Sequence, residues 1–301
     1  MMDPAAHRLG SALCIASAIA FGAMAIFGKL AYDAGVGVLT LLFVRFTIAA
    51  PVLWIAALRR PAGFAGPRRT LLAALALGAV GYALQAGLYF AALARMDASL
   101  LSMLLYTFPA MVTAAAIALG RETASRRRTG ALLVSSGGLA LVLLGAGSGT
   151  FDWLGTALGL GAALTYTAYI LVSDRVGGDI EALPLSALIT TGAAITFGVA
   201  GAATGSLDTG FASEGWVWLA AIALVSTVTP ITLFFAGLRR VGPSTAAILS
   251  TLEPPTTVAL AFLVFGESLT ALQLAGAALV LGAAVSLNLR PRRGAAGPLP
   301  V

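Results

Sequence analysis

The 301-residue chain is 59% hydrophobic and only 10% charged, with a mean hydropathy of +0.96, which excludes an ordinary water-soluble globule and a disordered chain. Its net charge of +6 does not mark a nucleic-acid surface, because the basic residues fall in short clusters between apolar runs. One cysteine, Cys14, and one histidine, His7, exclude an intrachain disulfide and a His/Cys metal cluster, and no cofactor is expected.

A helix needs about 20 apolar residues to cross the hydrocarbon core. Apolar windows predict ten such helices, over 9–32, 37–58, 70–94, 98–119, 129–147, 152–174, 182–204, 214–238, 244–264 and 268–288. The first follows Arg8 in the manner of a signal peptide, but its apolar stretch runs on to Lys29 without a cleavage context, so it is kept as a membrane helix. With an even count, one set of loops and tails holds fifteen arginines, Arg8, Arg59, Arg60, Arg68, Arg69, Arg121, Arg126, Arg127, Arg128, Arg175, Arg239, Arg240, Arg290, Arg292 and Arg293. The other set holds Arg95 alone, and Lys29 and Arg45 fall inside spans. The excess of arginine on cytoplasmic loops therefore predicts that both termini are cytoplasmic.

Ionisable groups within a span cost about 2.5–3.5 kcal/mol on insertion scales, so each asks for a reason. Lys29, near the end of helix 1, is expected to snorkel to the interface. Arg45 in helix 2 either pairs with an acidic group or a substrate carboxylate, or bonds to backbone carbonyls of a neighbouring helix. Helix 3 carries Tyr82, Gln85 and Tyr89 at i, i+3, i+7 on one face, with Phe90 beside them. Helix 4 contains Thr107-Phe108-Pro109, a proline kink without an acid. Tyr166 and Tyr169 fall midway along helix 6, and Ser226, Thr227, Thr229 and Pro230 midway along helix 8, where interhelical hydrogen bonding is the plain alternative to a pocket. Trp54 and Trp153 are expected at the membrane interface. Gly137, Gly138, Gly276 and Gly282 in helices 5 and 10, and Gly155-x-x-x-Gly159, permit close helix approach.

Helix 9 carries the sharpest signal, Leu252-Glu253-Pro254-Pro255. Pro254 has no N–H, so the Ser250 carbonyl loses its helical donor beside a carboxylate. Such a break is tolerated in lipid only where it lines a cavity or packs on protein. Glu253 is expected either to hold a substrate ammonium or a proton, or to be a satisfied acid at a structural kink.

The chain also matches itself at an ungapped offset of 145 residues. Leu88, Phe90, Ala91, Leu93, Arg95, Ser99, Leu104, Pro109 and Glu122 meet Leu233, Phe235, Ala236, Leu238, Arg240, Ser244, Leu249, Pro254 and Glu267. Five helices per copy is odd, so the copies must be inverted. The expected organisation is a first repeat over 1–147, a second over 148–290 and a cytoplasmic tail over 291–301. The fold class is therefore an all-α membrane protein, ten transmembrane helices as two inverted five-helix repeats around a central site, the architecture of secondary transporters.

The run Leu252-Glu253-Pro254, then Phe265-Gly266-Glu267 and Gln273 to Gly276, with Gly22 to Lys29 and Arg45 in the first half, resembles the drug/metabolite transporter superfamily in its ten-helix EamA branch. Within that branch the chain is similar to bacterial exporters of aromatic and other neutral amino acids. The resemblance implies a central cavity lined by helices 1, 3, 4, 6, 8 and 9, with helices 5 and 10 outside, in the inner membrane. The expected substrate-binding set is Tyr82, Gln85, Tyr89, Tyr166, Tyr169, Thr229, Glu253, Arg45, Phe27 and Phe108. Phe108 stands where the second repeat has Glu253, which leaves proton coupling open. The expected partners are a small-molecule substrate and membrane lipid, not nucleic acid, and the working unit a monomer. A carrier of another metabolite or drug class, or a channel or scaffold, is the alternative. No paired carboxylates or Ser/His dyad support an intramembrane enzyme.

Overall fold

The computed structural model describes residues 4–59, 67–121, 124–145, 152–176 and 180–288. Arg60, Glu122, Arg290, Arg292, Arg293 and the tail 291–301 lie outside the described residues. Every regular element among the described residues is helical. Ten helical elements follow the apolar windows closely. They are α1 (Pro4–Gly22 and Met24–Asp33), α2 (Val38–Leu58), α3 (Arg68–Ala76, Leu77–Tyr82, Ala83–Leu93), α4 (Ala98–Leu105 and Phe108–Ala118) and α5 (Arg126–Gly145). Then come α6 (Trp153–Val176), α7 (Ala182–Thr204), α8 (Glu214–Ala223, Leu224–Val228, Thr229–Val241), α9 (Pro243–Ser250 and Glu253–Phe265) and α10 (Ala271–Asn288). Among the described residues nine are long and apolar enough to cross a membrane, and α10 is a shorter apolar helix.

Five elements run unbroken and five are irregular near their middles. In α4 and α9 the break falls where sequence places it, because Pro109 and Pro254 sit in the first turn of each second segment and cannot donate to the turn before. In α8 Pro230 likewise sits in the first turn of the segment that follows the break, whereas the breaks in α1 and α3 have no proline signature. In α3 and α8 the helix widens into a π turn, over Leu77–Tyr82 and Leu224–Val228. Packing explains the first of these, since a Cβ on Gly78 would collide with the Ile189 backbone and one on Gly192 with the Leu75 carbonyl. Threonine hydroxyls add donors beside both turns: Thr196 donates to the Ala79 carbonyl (2.6 Å) and Thr227 to the Ile222 carbonyl (2.8 Å).

Four antiparallel pairs dominate the packing, α1 with α8, α2 with α7, α3 with α6 and α5 with α10; α4 and α9 also meet antiparallel, but α4 packs more extensively on α6 and α9 on α1. Glycine sets the closest approaches. Gly138 faces the Gly276 carbonyl between α5 and α10, Gly237 faces Gly10 and Cys14 between α8 and α1, and Gly198 faces the Phe43 ring between α7 and α2. Two of these crossings are related by the 145-residue offset. A Cβ on Gly10 would lie 2.6 Å from Arg240 Cβ, and one on Gly155 would lie 3.3 Å from Arg95 Cβ.

The connections α1–α2, α3–α4, α7–α8 and α9–α10 gather at one end of the bundle, called here the far end, opposite the start of α1. Ala212 donates to the Ala34 carbonyl (3.0 Å), and Arg95 pairs with Asp152 (2.9 Å) at the start of α6. The largest core cluster fills this half, with Leu41, Leu42, Phe90, Leu93, Leu101 and Leu219 at its centre. Lys29 does not snorkel. Its ammonium pairs with Glu267 at 2.8 Å and lies 3.8 Å from Asp97. Trp153 is exposed at 72%, as an interface residue would be, whereas Trp54 donates to Thr191 of α7 (2.9 Å) and packs between helices.

Candidate functional site

A cavity of about 630 Å³ occupies the middle of the bundle and continues toward the near end, where Arg128 of α5 and Leu287 of α10 line it. Its deepest lining residues, Arg45, Gln85, Tyr89 and Phe90, are buried, while Ile170, Ile231, Phe234 and Thr251 toward the near end are partly exposed. The cavity thus opens at one end and is closed by the packed far half at the other.

All five irregular elements contribute to this cavity, which is where broken backbone can exist inside a membrane. At the α9 break, Tyr106 Oη lies 2.6 Å from the Ser250 carbonyl and 3.1 Å from Glu253 Oε2. A hydroxyl has one proton. If Tyr106 donates it to Ser250, the Glu253 contact closes as a hydrogen bond only when Glu253 itself carries a proton and donates to the tyrosine oxygen. The α1 break is fitted to the same turn: Thr257 donates to the Gly22 carbonyl (2.9 Å), and a Cβ on Gly22 would lie 2.9 Å from the Glu253 carbonyl.

Arg45 stands at the cavity's far-end floor, 1% exposed. Its Nε donates to Thr227 (2.9 Å) and its Nη2 reaches Tyr82 Oη at 3.5 Å, so the guanidinium joins the π turn of α8 to that of α3. The two partners are 145 residues apart. The Phe46 and Phe90 rings cover the guanidinium at 4.8 and 5.3 Å. Among the described residues neither Arg45 nor Glu253 takes part in an ion pair.

A row of aromatic rings joins the acidic side to the basic side. Tyr106 meets Phe108 (5.7 Å between centroids), Phe108 meets Tyr166 (4.7 Å), Tyr166 stacks on Tyr169 (6.0 Å), and Tyr169 meets Tyr82 (5.6 Å). These spacings are those of favourable edge and offset contacts, so the wall is held as a unit.

Of the ten residues singled out from sequence, Tyr82, Gln85, Tyr89, Tyr166, Tyr169, Glu253, Arg45 and Phe108 line this one cavity. Phe27 is elsewhere: it stacks on Trp218 at 6.1 Å in the far half. Thr229 opens the last segment of α8, where its carbonyl accepts from Thr232 (2.8 Å), and it is absent from the lining. Sequence reasoning missed Tyr106 and Glu267. Glu267 accepts from Lys29, from the backbone N–H groups of Ala98 (3.1 Å) and Ser99 (3.0 Å), and from Ser99 Oγ (2.8 Å). It thereby satisfies the start of α4 from the α9–α10 connection, where a helix N-terminus favours an anion. Gly266, at φ 69°, makes the left-handed turn that ends α9 and presents Glu267 there.

The family model described as the EamA-like transporter family matches the chain twice, over residues 8–144 and 153–289, with the two matches again 145 residues apart. An uncharacterized transporter of Bacillus subtilis, YcbK, is 26% identical over 89% of this chain and 88% of its own length. An uncharacterized transporter of Archaeoglobus fulgidus is 27% identical over 91% of this chain and 94% of its own. The threonine/homoserine exporter RhtA of Salmonella typhimurium is 30% identical over 51% of each chain. A solved crystal structure shares the fold at a TM-score of 0.62, with 18% identity over 90% of this chain and 95% of that one.

Proposed function

The chain belongs to the EamA-like transporter family, and from that premise we propose that it is a secondary transporter exporting neutral or aromatic amino acids and related small metabolites by alternating access. The observation that carries the reading is a mid-bundle cavity lined by five broken or widened helices, open at one end only. A solute site at mid-depth with one closed end suits a carrier, whereas a channel needs a continuous path. The two family matches, the contact pairs that exchange under the same offset and the antiparallel pairs support two inverted five-helix repeats. The arginine distribution supports ten membrane crossings with cytoplasmic termini, and the resemblance to bacterial exporters supports the inner membrane as their place; in that orientation the cavity faces the cytoplasm in this conformation.

Glu253 is the group to which coupling is assigned. A substrate ammonium needs its carboxylate, while the geometry with Tyr106 accommodates its acid form. The aromatic wall favours a second reading, a carrier of planar drug-like molecules. Purified protein in proteoliposomes, loaded with unlabelled amino acid and offered the labelled one, should show saturable counterflow, competed little by planar cations. In Glu253→Gln, which keeps shape and removes the charge and the titration, exchange should fall at least tenfold while the protein stays monodisperse. Unsaturable flux would reveal a channel, and wild-type exchange by the Gln variant at every pH would remove Glu253 from the mechanism.

A further inference from the structure

Arg45 is the most completely buried cation among the described residues, and its surroundings do not neutralise it. Its contacts are two hydroxyls, Thr227 and Tyr82, and two aromatic faces. A guanidinium has five N–H donors. One is spent on Thr227 and one, at 3.5 Å, makes a long contact with Tyr82, so the pairs on Nη1 and the rest of Nη2 are available on a side chain that lines the cavity.

The supports are built to hold the guanidinium in place without discharging it. Thr227 donates its own proton to the Ile222 carbonyl, and this aims a lone pair of the hydroxyl at Arg45 Nε. Phe46 stacks in turn on Phe197 of α7 at 5.8 Å, which fixes the ring beneath the charge. A buried cation without a counter-ion is costly to hold in a membrane. A planar fork of free donors in a cavity is matched by one ligand chemistry above others, a carboxylate taken by two parallel hydrogen bonds.

Resting on the transporter reading, we propose that Arg45 is the substrate's carboxylate-binding residue, so that the transported class is small monocarboxylates, amino acids among them, and the carboxamides and esters of the same molecules are rejected. The two π turns serve to hold this guanidinium from opposite sides of the cavity. Because Tyr82 and Thr227 sit at matching positions of the two halves, movement of one half relative to the other alters the grip on Arg45 and on whatever it holds.

Calorimetric binding to the detergent-purified full chain tests the assignment, with an amino acid, its carboxamide, its methyl ester and the corresponding 2-oxo acid as probes. The acid and the oxo acid should bind about 10- to 100-fold more tightly than the amide and ester, the range of a charge-assisted pair. Arg45→Gln should erase that preference, and Arg45→Lys should restore part of it. Equal binding of acid and amide by the wild type overturns the proposal, and this measurement needs no variant. An Arg45→Gln protein that keeps the preference overturns it too. If no amino acid binds or exchanges but the oxo acid binds in an Arg45-dependent way, the carboxylate site stands and the amino acid reading falls. If no carboxylate binds, the site falls.

Discussion

Pro254 strips the Ser250 carbonyl of its amide donor, and Tyr106 supplies a hydroxyl in its place from the opposite helix. Tyr106→Phe should therefore leave that carbonyl unpaired, lowering stability by about 1–3 kcal/mol, which thermal unfolding of the purified protein will show as a lower midpoint. The same change removes the partner of Glu253 without touching its charge, so the pH dependence of counterflow should shift while substrate preference is kept. The orphaned carbonyl and its neighbouring acid are visible in sequence, because the missing N–H is a property of proline itself. The tyrosine that answers them is not, because it lies 144 residues away and nothing local distinguishes it from the five other tyrosines. Phe27 and Thr229 illustrate the opposite difficulty. Each lies in a helix that contributes to the cavity, but which face of an apolar helix turns inward is decided by its neighbours, and apolar residues surround it on every side.

At the scale of elements, Glu267 ties three of them together at the closed end: α1 through Lys29, the start of α4 through Ala98 and Ser99, and the connection from α9 to α10 on which it sits. Glu267→Gln should loosen this closure. Measured in a Cys14→Ala background with Ala86→Cys on the cavity wall, labelling by an impermeant thiol reagent from the far side should rise several-fold over the same reporter without the Gln change. Unchanged labelling would make the cluster a helix cap and nothing more. Burial pushes the Glu267 carboxyl up, but the Lys29 and Ser99 hydrogen bonds outweigh it and hold the group below its ordinary value of 4.5. The folded-state value being depressed, its contribution is complete above the ordinary value and is lost only as pH falls through the lower one. Labelling of the unaltered closure, corrected at each pH for the thiolate fraction of the reporter by reference to the same reporter in detergent-denatured protein, should accordingly stay flat from pH 8 to pH 5 and rise only in stronger acid. Proline marks the breaks of α4, α8 and α9 in the sequence, whereas the π turn of α3 carries no such mark. It accompanies the close approach of α3 and α7 at Gly78 and Gly192, a tertiary constraint. Lys29 was open to misreading for the same reason, since its partner is 238 residues away.

For the whole molecule, hydropathy made the all-helical, membrane-spanning class legible, because a bilayer forces length and apolarity on every span, and nine of the ten apolar windows appear among the described residues as helices long enough to cross. A C-terminal alkaline phosphatase fusion should be inactive and a C-terminal fluorescent protein bright if both termini are cytoplasmic, and a strongly active phosphatase would require either an odd number of crossings or the opposite orientation. The bond between Arg45 and Thr227 has one more consequence, for the order in which the chain is made. The residues are 182 apart, so at about 5–20 residues per second α2 waits on the order of 10–40 s for α8 to be synthesised. α2 is apolar enough to enter the bilayer with its arginine, at a mean hydropathy of 2.1. Until the second half arrives, however, that charge has only the long Tyr82 contact and lacks the Thr227 hydroxyl and the Phe197 support of α7. A ribosome that stalls between the halves should leave the first five helices as a substrate for membrane quality control, and delivery of the second half from a separate messenger should rescue them from degradation.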